Sequence, residues 1–216
     1  MTPTSTEPTV FVVDDDPAVR KALSRLLRSA GLRVERFDSC EAFLARHDPE
    51  ATGCLLLDVA LPGLDGLALQ RRLAEARQPR PIVFLTGRGD IPTGIRAMKD
   101  GATDFLTKPA PDAALLGAVR TALDRDREGR QVRAGLAAIE NRLVALTPRE
   151  REVLRHVVAG KLNKHVAAEL GTTEKTVKVH RARVMSKMQA RSLADLVRMA
   201  AKAGIAPAFP ADEPGT

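Results

Sequence analysis

Cys54-Leu55-Leu56-Leu57-Asp58 is an apolar run that ends on one carboxylate and then breaks into Leu61-Pro62-Gly63 and Asp65-Gly66. Leucine is a mediocre strand former by itself, so burial has to hold this run extended. A strand that is apolar on both faces suits the centre of a parallel sheet covered by helices on each side. In such sheets the working groups gather just beyond the carboxyl ends of the strands. Asp58 falls at that position, and the other strand ends decide its company.

Upstream, Thr9-Val10-Phe11-Val12-Val13 reads as a first strand with Asp14-Asp15-Asp16 at its carboxyl end. Asp16 suits an N-cap and Pro17 a first helical position; Val19, Leu23, Leu26, Leu27 and Ala30 then recur at helical spacing until Gly31. Residues 32–37 form a second strand, 41–46 a short helix and 52–58 the third strand. Downstream, 64–75 is helical, Pro81-Ile82-Val83-Phe84-Leu85-Thr86 is a fourth strand, 91–100 a helix, 103–107 a fifth strand running into Lys108-Pro109, and 112–125 a helix. Five strands alternating with five helices predict an α/β fold, a five-stranded doubly wound parallel sheet.

At 216 residues the chain is long enough for two domains, and 44% hydrophobic content is that of a globular protein. The polar opening Met1-Thr2-Pro3-Thr4-Ser5-Thr6 lacks the basic and apolar regions of a signal peptide. No uncharged apolar run reaches the ~20 residues of a membrane helix. Cys40 and Cys54 have no metal-site spacing and make no disulfide framework. The expectation is a soluble cytoplasmic protein with no membrane partner. Charge is uneven: residues 1–124 hold 16 Lys/Arg against 17 Asp/Glu, net −1, and residues 125–216 hold 18 against 10, net +8. A neutral half joined to a basic half points to nucleic acid on the C-terminal side, although a solvated basic surface would give the same balance.

The strand ends deliver Asp14 and Asp15, Asp58, Thr86 and Lys108. Each alone has an ordinary explanation, as a helix cap, a turn residue or a surface lysine. Together, three carboxylates, a hydroxyl and an ammonium at one sheet edge are chemically complementary. Three acids in one pocket favour a hard divalent cation, and Mg²⁺ fits. A carboxylate beside Mg²⁺ can attack phosphorus and form an aspartyl phosphate, with the metal and the lysine offsetting the charge of the phosphoryl oxygens.

Val12-Val13-Asp14-Asp15-Asp16, Leu57-Asp58-Val59-Ala60-Leu61-Pro62-Gly63-Leu64-Asp65-Gly66, Thr86-Gly87 and Phe105-Leu106-Thr107-Lys108-Pro109 resemble a response-regulator receiver domain, in order, over residues 8–125. The resemblance implies a flavodoxin-like sheet in which Asp58 takes phosphate from a sensor histidine kinase. Asp15 would bind Mg²⁺ directly, Asp14 through water, and the carbonyl of Ala60 would be a further ligand. Thr86 and Phe105 would be the switch pair, Lys108 would contact the phosphate, and the Lys108-Pro109 peptide would be cis. Leu61 stands where methionine is common in the family.

Residues 126–145 read as a helical linker. Val132, Leu136, Ile139, Leu143 and Leu146 are spaced 4, 3, 4, 3. That pattern is either a short heptad seam able to pair two copies, which we favour, or an amphipathic helix packing on its own domain. Thr147-Pro148-Arg149-Glu150 then carries a cap, a first-position proline and a capping box. Four short helices over residues 146–206 predict a helix-turn-helix domain, with Asn163 expected to cap the second, and 207–216 reads as a disordered tail. Residues 175–191 hold six Lys/Arg and no acid. On a helical wheel Val177, Val184 and Met188 face inward, while Lys175, Val179, Ala182 and Ser186 face out between Lys178 and Arg183. A basic face of short side chains suits the major groove.

Leu146-Thr147-Pro148-Arg149-Glu150, Asn163-Lys164, Thr176-Val177-Lys178-Val179-His180 and Lys187-Met188 resemble the LuxR-type helix-turn-helix, so the whole chain resembles NarL/FixJ-family response regulators, the FixJ branch in particular. By that resemblance Lys178, Val179 and Ala182 face bases, while Lys175, Thr176, Arg181 and Arg183 contact bases or phosphates. The partners implied are operator DNA, the kinase, a second copy of the chain on phosphorylation, and RNA polymerase. The rival class is a haloacid-dehalogenase-type phosphatase, but its second acid, two residues past the nucleophile, is here Ala60, so the reading is a regulator and not an enzyme beyond self-phosphorylation from a phosphodonor. A DNA-binding module with a vestigial receiver is the third reading; the intact Asp15, Asp58, Thr86 and Lys108 set argues against it.

Overall fold

The structure is a computed structural model that describes residues 7–76, 78, 80–87 and 91–208. The chain divides into two compact units, Met1–Arg130 and Gln131–Thr216.

The first unit runs β1 (Thr9–Val13), α1 (Pro17–Ser29), β2 (Arg33–Phe37), α2 (Cys40–Arg46), β3 (Gly53–Asp58), α3 (Gly66–Glu75), β4 (Ile82–Thr86), α4 (Ile91–Lys99), β5 (Asp104–Thr107) and the start of α5 (Asp112–Val144). The strands lie in the order β2-β1-β3-β4-β5, all parallel. Every residue of β3 is buried. Because side chains alternate along a strand, Leu55 and Leu57 join Phe11, Phe43 and Phe84 on one face, while Cys54 and Leu56 join Val10, Val83 and Val119 on the other. Each such leucine contributes about 1.5–3 kcal/mol by leaving water. That burial is what holds a leucine run extended.

Two glycines let backbones approach at the ends of β3. A Cβ on Gly53, at φ +139°, would sit 1.8 Å from the Thr9 carbonyl oxygen; one on Gly66 would sit 2.4 Å from the Asp58 carbonyl oxygen. Helix α3 starts at Gly66 and not at 64, because Asp65 caps it by accepting the Ala68 N–H at 2.6 Å.

Helix α5 does not stop at Arg125. It continues as one helix to Val144, through all but the last residue of the expected linker. Its turn past Arg125 is fastened to the first unit. The buried Asp126 carboxylate accepts the Gly53 N–H at 2.8 Å and Arg130 Nε–H at 2.9 Å. The Arg130 guanidinium donates in turn to the Glu50 and Ala51 carbonyls.

The second unit takes the rest of α5, then α6 (Pro148–Val158), α7 (Asn163–Glu169), α8 (Glu174–Met188) and α9 (Leu193–Lys202). The spaced apolar residues split here. Ile139 and Leu146 are buried and Leu143 packs with them against Val153, Leu154, Val184 and Met188, whereas Val132 is 71% exposed. The favoured pairing seam is therefore corrected over its C-terminal half, whose apolar stripe is used inside its own unit. Asn163 does not cap α7: Leu162 holds the cap position with no side-chain bond, and Asn163 is the first helical residue. The expected tail lies outside the described residues from Phe209 onward; Ala208 still donates its N–H to the Arg155 carbonyl at 2.9 Å. Among the described residues no helix is long and apolar enough to cross a membrane.

Candidate functional site

The carboxyl ends of β1, β3, β4 and β5 bring the predicted residues to one edge. Asp14 follows β1 and is 2% exposed; Asp58 ends β3 and is 8% exposed; Asp15 is exposed beside them. One carboxylate oxygen from each of the three lies within 4.8 Å of the others. Lys108, just past β5, reaches between two of them, with Nζ 2.5 Å from Asp14 Oδ2 and 2.7 Å from Asp58 Oδ2. Burial works against the Lys108 charge, but the hydrogen bonds and charges of Asp14 and Asp58 outweigh it and raise the ammonium above its ordinary value.

The remaining oxygens are oriented by backbone. Asp14 Oδ1 accepts the Asp16 N–H at 2.9 Å, and Asp58 Oδ1 accepts the Ala60 N–H at 3.1 Å. Three carboxylates against one ammonium leave a net charge of about −2, which matches a divalent cation with oxygen ligands. The donor set fits Mg²⁺, which takes one or two carboxylates and keeps several waters.

Thr86 ends β4 and is 2% exposed. It pairs in register with Thr107, and its carbonyl accepts the Lys108 N–H at 2.7 Å, so the hydroxyl and ammonium are delivered by adjoining strands. Phe105, one strand over, is half-buried; its ring lies 6.2 Å from that of Phe84 and against Gly94 of α4. The Lys108-Pro109 peptide is cis.

The second unit builds a different surface. The capping box at the start of α6 is closed in both directions between Thr147 and Glu150. Glu150 is 2% exposed and also binds Lys187 of α8 at 2.6 Å. The Lys187 hydrogen bond, then the Thr147 N–H, pull its carboxyl from 4.5 to about 2. Thr173 caps α8 by accepting the Thr176 N–H. Val177, Val184 and Met188 are buried, and Lys175, Lys178, Val179, Ala182, Arg183 and Ser186 are exposed. Thr176 and Arg181 are half-buried and have partners within the unit: the Thr176 hydroxyl lies 2.9 Å from that of Thr173, and Arg181 donates to Asn163 Oδ1 at 3.4 Å. Lys187 is ion-paired with Glu150, so among the described residues the positive charge of α8 that has no acidic partner sits on Lys175, Lys178, Arg181 and Arg183.

Several residues of these sites carry no local signal in the sequence. Arg20 of α1 donates to the Asp14 carbonyl at 2.6 Å, and Glu41 of α2 accepts the Leu64 N–H at 2.9 Å. Gln70 of α3, 5% exposed, donates to the Ala97 and Asp100 carbonyls at the end of α4.

Comparison with known proteins agrees with both halves. The response regulator receiver domain matches residues 10–120, and the luxR family of bacterial regulatory proteins matches residues 144–200. Nodulation protein W of Bradyrhizobium diazoefficiens is 50% identical over 204 residues, covering 94% of this chain and 90% of that protein. The transcriptional regulatory protein FixJ of Azorhizobium caulinodans is 45% identical over 199 residues, covering 92% and 94%. Among solved structures, the response regulator StyR has a TM-score of 0.82 at 48% identity, covering 91% of this chain and 100% of that one. Full-length FixJ from B. japonicum has a TM-score of 0.56 at 42% identity, covering 93% and 99%. With an acidic sheet edge in one unit and a basic helix in the other, the chain belongs to the NarL/FixJ family of two-component response regulators, a receiver domain followed by a luxR-type DNA-binding domain.

Proposed function

We propose that the chain accepts a phosphoryl group on Asp58 from a sensor histidine kinase and responds by dimerising and binding operator DNA. The observation that carries this reading is the setting of Asp58: nearly buried, bonded to Lys108 at 2.7 Å and grouped with Asp14 and Asp15. Asp14, Asp15, Asp58 and the Ala60 carbonyl would hold Mg²⁺, which when bound offsets negative charge on the phosphoryl oxygens. An Asp58 carboxylate oxygen forms the new bond to phosphorus as the donor's bond breaks, and the electron pair leaves with the donor. Lys108 supplies fixed positive charge beside the transferred oxygens. The Thr86 hydroxyl then turns to a phosphoryl oxygen and Phe105 follows inward. Two residues past Asp58 stands Ala60, which cannot protonate a leaving group, so the chain is an acceptor and not a phosphatase.

Exposed apolar side chains support pairing. On α4, Ile91 is 77%, Ile95 50% and Met98 45% exposed; on α9, Leu193 is 39% and Val197 37% exposed. In the dimer each α8 enters a major groove. Lys178, Val179 and Ala182 meet base edges, and Lys175, Thr176, Arg181 and Arg183 meet bases or phosphates. DNA as partner puts the working protein in the cytoplasm, with RNA polymerase as a further partner at the promoter.

The test is incubation with Mg²⁺ and acetyl phosphate while intact mass and solution molar mass are recorded. The expected outcome is gain of one phosphoryl group and a doubling of molar mass, both absent from Asp58→Asn. Full response by Asp58→Asn would overturn the reading.

A further inference from the structure

Glu41 lies outside the acidic cluster, in the first turn of α2, and phosphoryl transfer as described above makes no use of it. Its carboxylate nevertheless reaches the segment that follows Asp58. Oε1 accepts the Leu64 N–H at 2.9 Å across 23 residues of chain. The same oxygen is 2.8 Å from where a Cβ on Gly63 would stand, so the carboxylate lies over a residue at φ +77° that has no side chain in its way. The Leu64 N–H, helped by the Glu41 N–H, holds the carboxyl below its ordinary range. It is therefore an ionised acceptor at neutral pH, and an ionised acceptor makes the stronger hydrogen bond.

The segment between Asp58 and α3 is tied at successive points. Ala60 donates its N–H to Asp58 Oδ1 at 3.1 Å; Leu61 is 7% exposed in the core; Leu64 is held by Glu41; the Asp65 side chain caps α3. Asp58 is thereby oriented from two sides. Lys108 holds Oδ2, and the backbone of this segment holds Oδ1. A carboxylate with only the Lys108 bond is free to rotate about it.

We propose that Glu41 is a positioning residue for phosphoryl acceptance: from α2 it fixes residues 59–64 and, through the Ala60 N–H, the rotation of the Asp58 carboxylate. The proposal rests on Asp58 being the acceptor.

The experiment follows intact mass over time with Mg²⁺ and a range of acetyl phosphate concentrations, for the full chain and for Glu41→Ala, Glu41→Gln and Asp58→Asn. Misplacing a reacting group by about 1 Å costs up to about 100-fold in rate, and a loosened loop produces part of that. Glu41→Ala is expected to lower the saturating rate about tenfold, with the half-saturating concentration little changed. Glu41→Gln keeps an oxygen acceptor without the charge and should return to within about threefold of the wild type. Hydrogen exchange should quicken at Leu64 in Glu41→Ala while the amides of α1 and α5 stay protected, which separates a moved loop from an unfolded receiver. A Glu41→Ala rate equal to wild type overturns the proposal and leaves the acceptor reading standing. A Glu41→Gln rate as low as that of Glu41→Ala also overturns it, since the missing charge and not the hydrogen bond would then be responsible. Phosphoryl gain by Asp58→Asn overturns the acceptor reading itself.

Discussion

Replacing Glu150 with alanine should loosen the DNA-binding unit by about 2–3 kcal/mol at neutral pH. The side chain is 2% exposed, and its Oε2 accepts the Thr147 N–H at 2.9 Å and Lys187 Nζ–H at 2.6 Å. The capping leg contributes about 1 kcal/mol. The Lys187 bond is charge-assisted and contributes about 1.5 kcal/mol, near the low end of its class, because Lys187 is 36% exposed and hydrates once released. Glu150→Gln keeps the capping acceptor and loses the charge, so it should cost about 1 kcal/mol. The effect also has a pH signature. The Glu150 carboxyl is lowered in the folded state from 4.5 to about 2. A lowered acid contributes stability that is fully present above 4.5 and is lost as pH falls toward 2. The gap between wild type and Glu150→Ala should therefore narrow below pH 4.5. Hydrogen exchange of α6 and α8 amides in the full chain, compared between variants at pH 7 and pH 3.5, reads both quantities. A gap under about 0.5 kcal/mol at pH 7, or one of equal size at both pH values, would refute the assignment.

Three further outcomes follow from the same structure. Gly53→Ala places a Cβ 1.8 Å from the Thr9 carbonyl oxygen inside the β1–β3 pairing, and a urea titration of the receiver should show a loss of at least about 3 kcal/mol; a loss under about 1 kcal/mol would mean that the two strands separate at little cost. Asp126→Ala strips partners from the Gly53 N–H and from Arg130, so exchange should quicken at Gly53 and over residues 126–130 by about 100-fold, the equivalent of roughly 3 kcal/mol, with amides near Asp58 unchanged. Lys178→Ala, with Lys178 placed at base edges, should weaken binding to the operator while leaving other DNA sequences little changed; an equal loss on all sequences, with the salt dependence of log K flattened by about one unit, would assign it to a phosphate instead.

The sheet could be read from the sequence because its evidence is local. A leucine run closed by Asp58 and a turn states both its burial and its direction, and β1, β4 and β5 each run into the residues they deliver. The capping box at Thr147 is equally local, and α6 starts where it says. The length of α5 was not legible. Gly129 and Gly135 each cost about 1 kcal/mol in a helix interior, which argues for a break. What holds the helix through Gly129 is Asp126 and Arg130 bonding to residues 50–53, some 73 to 80 positions away. Likewise the spacing of Ile139, Leu143 and Leu146 is the same whether the stripe meets a second copy or its own domain. Only the tertiary fold distinguishes the two, and it supplies Val153, Leu154 and Met188. Glu41 carries no local signal for the same reason: its acceptor role depends on a loop 23 residues on.

Lys108 gives the acidic edge a counter-ion that is covalently part of the chain. Asp14 and Asp58 are neighbours at the ends of adjoining strands, and their repulsion is offset by an ammonium that cannot diffuse away. Domains assembled around structural zinc owe much of their folding free energy to an ion from solution. With Lys108 in place of a solvent ion, this receiver should fold without metal, so a chelator should leave its melting temperature nearly unchanged while, on the proposed function, abolishing phosphoryl gain. On that reading, supply of the divalent ion would govern the activity of the molecule without governing how much folded protein there is.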